Sequence, residues 1–364
     1  MIYDVAVVGA GPAGLAVAIG ARLRGLEVIV ADRAHAPIDK ACGEGVMPAG
    51  LDALRELGVL DHLDLTRTAP IRGIRYVNED GTSVAGALPH GGGLGIRRVA
   101  LSAALFARAR EVGVDVREGV EARWLGRDSR DDDGMPLHRV AIQYDVAVAR
   151  FLVAADGPRS PLRDRLGLSL PPGRSRRFGV RRHFGIHPWT DHVEVHFADG
   201  VEAYVTPVGA NEVGIAFLWD AYHFSGEASF EAQLARFPRL ADRLCDAPAT
   251  SKARGLGPLR QRVRAVVAED AALVGDAAGY VDAITGEGIS LALQSAAVLS
   301  RDLGDRRRGV MLGYAKAHRS AFRRYARLAD ALLAVSRRPA LRRRLVAGLA
   351  RWPRVFGAAL ARAF

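Results

Sequence analysis

The sequence predicts an α/β fold: a Rossmann-type dinucleotide-binding domain, an interleaved antiparallel-sheet substrate domain, and a C-terminal helical tail. Three observations carry this reading. The apolar run Ile2–Val8 passes directly into Gly9-Ala10-Gly11-Pro12-Ala13-Gly14. A second glycine motif, Leu273-Val274-Gly275-Asp276-Ala277-Ala278-Gly279, follows more than 260 residues later. Between residues 176 and 219 the hydrophobic period drops to two, the repeat of a half-buried strand.

Taken in order, residues 2–8 read as a buried strand, 12–23 as a helix with small residues at its start, and 27–31 as a second strand, which makes a βαβ unit. Helical patterning recurs at 48–57 and 99–112, and strands are expected at 71–77, 140–144 and 151–155. Residues 128–134 are charged and turn-like. Strands at 193–197, 201–207 and 213–219 are separated by Asp-Gly and Gly-Ala-Asn turns, a core strand returns at 271–274, and 288–303 reads as a helix. The remainder is helical, interrupted at Pro339 and Pro353. The expected division is 1–70, 97–175 and 256–305 for the dinucleotide domain, 71–96 and 176–255 for the substrate domain, and 306–364 for the tail.

Composition narrows the function classes. At 364 residues and 49% hydrophobic the chain can bury a large core. Two cysteines, Cys42 and Cys245, form neither a disulfide framework nor metal-ligand spacing, so free thiols and a reducing compartment are expected, and no metal. The first apolar run is too short for a signal segment and no stretch reads as a membrane span, which points to the cytoplasm. The net charge of +11 is uneven: residues 301–364 hold 17 Lys+Arg and 3 Asp, net +14, leaving −3 for the rest. With no nucleic-acid-binding motif beside it, this basic tail argues against a nucleic-acid partner.

The first motif has the parts of a pyrophosphate cradle. Gly9 allows the tight turn, Gly11 lets backbone approach the phosphates, Gly14 lets helix pack on strand, and the helix N-terminus at Pro12 and Ala13 offers amides to the negative charge. Asp32, 18 residues after Gly14 with Arg33 beside it, can accept hydrogen bonds from ribose hydroxyls; the alternative is a turn acid. The second motif favours a flavin dinucleotide over NAD, because Gly275-Asp276 can bring a carboxylate to a ribityl hydroxyl and the helix start near Gly286-Glu287-Gly288 can face the ring.

On these motifs the chain resembles the FAD-dependent oxidoreductases of the para-hydroxybenzoate hydroxylase and geranylgeranyl reductase superfamily, over nearly its whole length. Two further segments match: Ala154-Ala155-Asp156-Gly157-Pro158-Arg159-Ser160, and Arg98-Val99-Ala100-Leu101 leading to Leu105. The resemblance implies that Arg98 contacts the dinucleotide and that Asp156 and Gly157 brace the FAD site. The segment Lys40-Ala41-Cys42-Gly43-Glu44-Gly45 resembles the Cys-Gly loop of the reductase branch, which lies by the isoalloxazine; Cys42 is either chemical there or a small loop residue. At residues 282–288 Ala283 stands where the family places a proline, while Thr285, Gly286 and Gly288 keep contact-forming types.

The resemblance implies FAD, with NADPH or NADH as a transient electron donor and a hydrophobic or aromatic small-molecule substrate. The flavin carries the chemistry, either oxygen through a C4a-hydroperoxide or hydride to an alkene. The segment Glu202-Ala203-Tyr204-Val205-Thr206-Pro207 lacks both tryptophans of the halogenase element and the tryptophan of the reductase element. The leading expectation is therefore a monooxygenase hydroxylating an aromatic, polyketide or phenolic-lipid substrate in secondary metabolism. A geranylgeranyl-reductase-like enzyme is the alternative, and a non-catalytic flavin-binding partner at a membrane is a third. No catalytic acid or base is identifiable; His183, His187, His192 and His196 read as strand residues. In the tail, Leu345, Leu349, Trp352, Phe356 and Leu360 share a stripe opposite arginines, which suits either peripheral contact with the inner membrane face or a cap on the substrate domain.

Overall fold

The computed structural model describes the chain except residues 1, 132–133, 135, 172, 174–175, 223–226, 306–310 and 364. Two large sheets organise it. The first has five parallel strands in the order Ala271–Leu273, Asp145–Ala154, Ile2–Val8, Val28–Asp32 and Asp115–Glu118. All but the edge strand Asp115–Glu118 have a near-continuous apolar stretch, because helices and further strands cover both faces. Chain order reverses beside Ile2–Val8, and the first glycine motif leaves the carboxyl end of that strand, where an open α/β sheet forms its crevice. Helix Pro12–Arg22 packs against Arg98–Glu111 and Gly288–Gly304, so both ends of the chain build one core.

The second sheet has seven strands: Arg254–Leu256, Arg177–Phe184, Glu212–Asp220, Val201–Gly209, His192–Ala198, Gly73–Val77 and Ser83–Ala87. All pairings are antiparallel except that of His192–Ala198 with Gly73–Val77. The period of two sorts its side chains. Ala203, Val205, Ile215 and Phe217 pack under helices Phe230–Leu234 and Pro238–Leu244, whereas Tyr204, Thr206, Ala216 and Leu218 face the first domain. A small sheet of Gly45–Val46, Gly93–Gly95 and Ala69–Ile71 stands between the two.

The expected elements recur with two corrections, and the breaks expected in the tail fall where the prolines stand. The strand expected at 71–77 breaks at Arg72, whose amide bonds to Asp191; Ala69–Ile71 joins the small sheet and Gly73–Val77 the large one. The turn expected at 128–134 is shorter: residues 128–130 end the strand Ala122–Arg130, which pairs with Pro136–Ile142, and the Gly134 amide donates to the Asp131 carbonyl, with residues 132 and 133 outside the described residues. Its polar run, Arg-Asp-Ser-Arg, hid the end of a strand in which exposed Arg123 and Leu125 alternate with half-buried Ala122, Trp124 and Gly126. In the tail, Pro339 and Pro353 each open a new helix, Pro339–Arg351 and Pro353–Ala363, after the long helix Leu312–Ser336.

Candidate functional site: a dinucleotide cradle beside an apolar cavity

The glycine loop is built by contact. At Gly9, φ is +107° and an added Cβ would lie 2.4 Å from the Ala155 carbonyl oxygen; at Gly14 it would lie 2.0 Å from the Gly9 oxygen. Both positions exclude any side chain. Gly11 differs: its Cβ direction is open, and the nearest atom is the Arg98 guanidinium at 3.9 Å. An Asp32 oxygen accepts the Ala10 amide at 2.7 Å and its other oxygen the Ala34 amide at 2.8 Å, so the acid expected at the ribose also locks the loop.

Two adjoining spaces run along this loop. An outer cleft of about 1020 Å³ is lined by Gly9, Asp32, Arg33 and Asp156. An inner cavity of about 200 Å³ is lined by Gly11, Pro12, Ala13, Cys42, Gly43, Arg98, Gly157, Gly275, Asp276, Gly286 and Gly288. Lys40, Gly179, Val180 and Leu256 line both. The structure thus brings nearly all the expected site residues to one continuous channel. Gly14 lies behind it in the helix packing, and Thr285 is buried beside it, its hydroxyl accepting the Glu287 amide at 3.4 Å.

Several buried polar groups have no protein partner. Arg98 is 8% exposed and its Nε is without a partner among the described residues, next to the open face of Gly11. A desolvated guanidinium beside free space at a helix N-terminus suits a phosphate. Asp156 Oδ1 is likewise unpartnered, and burial pushes that carboxyl up against hydrogen bonds from Ser160 and the Leu162 amide. Together with Asp32 and Asp276 these groups fit an FAD: Arg98 and the glycine loop for the pyrophosphate, Asp32 for the adenosine ribose, Asp276 for the ribityl chain.

Beyond the loop the inner cavity turns apolar, with Met47, Val193, Tyr204, Leu218, Leu259 and Ile289 in its wall. Burial raises the Tyr204 phenol well above its ordinary value. Loop 282–288 flanks this space, and Ala283 in place of a proline does not leave it slack. The Asp282 carboxylate is clamped by Arg177 at 3.0 and 3.2 Å, its carbonyl accepts the Tyr325 hydroxyl at 2.5 Å, and its side chain caps the Ile284 amide at 3.1 Å.

Sequence reasoning missed one polar cluster here. Glu44, in a left-handed conformation at φ 60°, is buried and lines the cavity. It accepts the Arg98 amide at 2.7 Å and bonds His183 Nε2. His183 Nδ1 meets Ser251 Oγ at 2.7 Å and Arg181 at 3.2 Å. A guanidinium only donates, so Nδ1 accepts and the ring proton sits on Nε2, aimed at Glu44. The signal was a histidine on a strand with period two, which pattern alone cannot distinguish from His187, His192 and His196; those three lie exposed or half-buried. The Cys42 sulfur accepts the Glu44 amide at 3.3 Å, and burial pushes the thiol up.

An α/β protein of two large sheets with a dinucleotide cradle opening onto an apolar-walled cavity is the architecture of a flavin-dependent oxidoreductase. The chain belongs to the FAD binding domain family, whose profile matches residues 2–319. Among curated relatives it is 28% identical over 319 residues to menaquinone reductase of Mycobacterium tuberculosis, covering 83% of this chain and 77% of that one. It is 28% identical over 310 residues to digeranylgeranylglycerophospholipid reductase 1 of Methanothermobacter thermautotrophicus, covering 79% and 73%. Rifampicin monooxygenase of Rhodococcus hoagii is 30% identical over 175 residues, 46% of this chain and 34% of that one. A flavoprotein/dehydrogenase of Cytophaga hutchinsonii shares the fold at a TM-score of 0.79 and 18% identity, over 96% of this chain and 93% of the other.

Proposed function

We propose that the protein reduces a carbon–carbon double bond in a long apolar, isoprenoid-type substrate, with NADPH or NADH as the electron source. The observation that carries this is the apolar cavity placed end-on to the cradle, walled by Met47, Val193, Tyr204, Leu218 and Leu259, with one buried carboxyl–imidazole pair at its edge. The order of the sequence expectations is thereby reversed. Support comes from the relatives named reductases, whose similarity extends over about four-fifths of the chain and so through the second sheet, whereas similarity to the monooxygenase spans less than half.

Bound and reduced, FAD supplies a hydride. The chain's own residues supply the rest: the apolar wall binds the substrate and keeps water from the reacting carbons, and Glu44 holds a proton position fed by His183 Nε2. Saturating an alkene needs one hydride on one carbon and one proton on the other, so an apolar-walled cavity requires such a route. Ser251, half-buried at the far side of His183, connects that route toward solvent.

Hydroxylation of an aromatic or phenolic lipid is the second reading. It is favoured by the segment Glu202–Pro207, where Tyr204 stands without the tryptophan of the reductase element. One experiment separates them. FAD-loaded protein is incubated with NADPH and a geranylgeranyl lipid or a polyprenyl quinone, with and without oxygen, and products are weighed. A product heavier by two hydrogens that forms without oxygen is expected; a product heavier by one oxygen, formed only in air, would move the assignment to hydroxylation.

A further inference from the structure

The tail is amphipathic in two opposite senses, and its outer face has no partner in the fold. Arg342, Val346, Phe356 and Leu360 turn inward: Arg342 pairs with Glu79 and sits over the Phe197 ring at 5.0 Å, and Phe356 and Leu360 pack against Gly86. Outward, Leu341, Leu345 and Trp352 repeat along one face of Pro339–Arg351 and its end, at 40, 41 and 70% exposure, and Val355 follows at 57%. Four large apolar side chains in water between residues 341 and 355 is an unusual surface for a chain whose other exposed apolar residues are scattered.

The charge around that face has one sign. From residue 331 to 364 there are eight arginines and no acidic residue. Arg337 and Arg342 are spent on Asp220 and Glu79. Arg338, Arg344, Arg351, Arg354 and Arg362 have no carboxylate in reach among the described residues and flank the apolar stripe. The inner face joins the substrate cavity: Val346, Phe356 and Leu360 belong to the same apolar cluster as Met47, Val193, Tyr204, Leu218 and Leu259, which wall it.

We infer that the tail helices dock on an anionic phospholipid bilayer, with Leu341, Leu345, Trp352 and Val355 entering the headgroup boundary and the unpaired arginines lying over the lipid phosphates. An apolar stripe flanked by arginine is the arrangement an interfacial helix uses, and charge complementarity selects an acidic surface. Bound this way, the protein sets the apolar layer above its cavity next to lipid. The inference stands independently of the reaction, because docking is read without turnover.

The test is flotation of the full chain with vesicles of phosphatidylcholine alone and of phosphatidylcholine with equal phosphatidylglycerol. Wild type should float with the anionic vesicles at low salt and remain largely unbound with neutral ones. Leu345→Ser combined with Trp352→Ser should cut binding at least about tenfold, with an unchanged melting temperature because both side chains point away from the fold. Arg344→Gln, Arg351→Gln and Arg354→Gln together should lower binding on the order of a hundredfold and abolish the preference for anionic lipid. The inference is overturned if wild type stays unbound on anionic vesicles at low salt, or if the serine variant floats as well as wild type. It is equally overturned if wild type sediments as a dimer that the serine substitutions dissociate and binds no vesicles, since the face would then belong to a second copy.

Discussion

Gly14 and Gly11 lie three residues apart and should fail in different ways. A methyl at Gly14 meets the Gly9 carbonyl oxygen at 2.0 Å, backbone against backbone, so Gly14→Ala should lower stability by at least about 2 kcal/mol, read by chemical denaturation. Glu44 is the residue where chemistry and conformation meet. Glu44→Gln keeps the shape of the side chain and its bond from the Arg98 amide but removes the charge facing His183. Flavin content should hold while turnover of an identified substrate falls about 100-fold; unchanged turnover would remove Glu44 from the proton route. His183→Gln should behave the same way. The glycines and Asp32 were legible in the sequence because their roles follow from spacing within one βαβ unit. Glu44 with His183 was not, because a pair 139 residues apart has no local signature.

At the scale of elements, the loop before helix Gly288–Gly304 is fixed by ionic contacts where the family uses a proline. Arg177 is 2% exposed between Asp282 and Glu202, at 3.0 and 2.8 Å. Arg177→Met would leave two buried carboxylates without a cation, and should cost about 3–5 kcal/mol and loosen flavin. Equilibrium unfolding with a flavin-release assay checks both. Glu287, at the start of that helix, has its carboxyl pushed up to about 7 by burial, with Arg324 pulling the other way. A folded value above the unfolded one of about 4.3 means that the folded chain holds the proton more tightly. The contribution of this group is therefore full at low pH and is lost as pH rises through about 7. Glu287→Gln should raise the melting temperature above wild type at about pH 8, by an amount worth up to about 3 kcal/mol, and the two curves should converge near pH 4. The motif placed this loop at the flavin, but its clamp combines residues 177, 202, 282 and 325, which only the fold assembles.

The whole molecule is a single cradle made from the two ends of a chain. The strand leading into Gly9 and the turn at Gly275-Asp276 meet because Ile2–Val8 and Ala271–Leu273 flank the same strand, Asp145–Ala154. That return was legible from motif order alone, whereas the sheet facing it was legible only as a period of two: pattern gives alternation, and packing decides which set of side chains walls the cavity. The tail shows the same division, its amphipathic stripe evident in sequence and its split into an inner and an outer apolar face evident only in structure. Among the described residues no helix is long and apolar enough to cross a membrane.

The cradle itself is the central claim, and flavin content of wild type and Gly11→Val measures it most directly. The Cβ direction of Gly11 is empty of protein apart from the tip of Arg98, so the valine can be accommodated by the fold and would occupy the space assigned to the pyrophosphate. Wild type should purify with, or take up, stoichiometric FAD, while Gly11→Val should fold with an unchanged far-ultraviolet spectrum and remain colourless when FAD is supplied. A folded variant that binds FAD as tightly as wild type would contradict the assigned site.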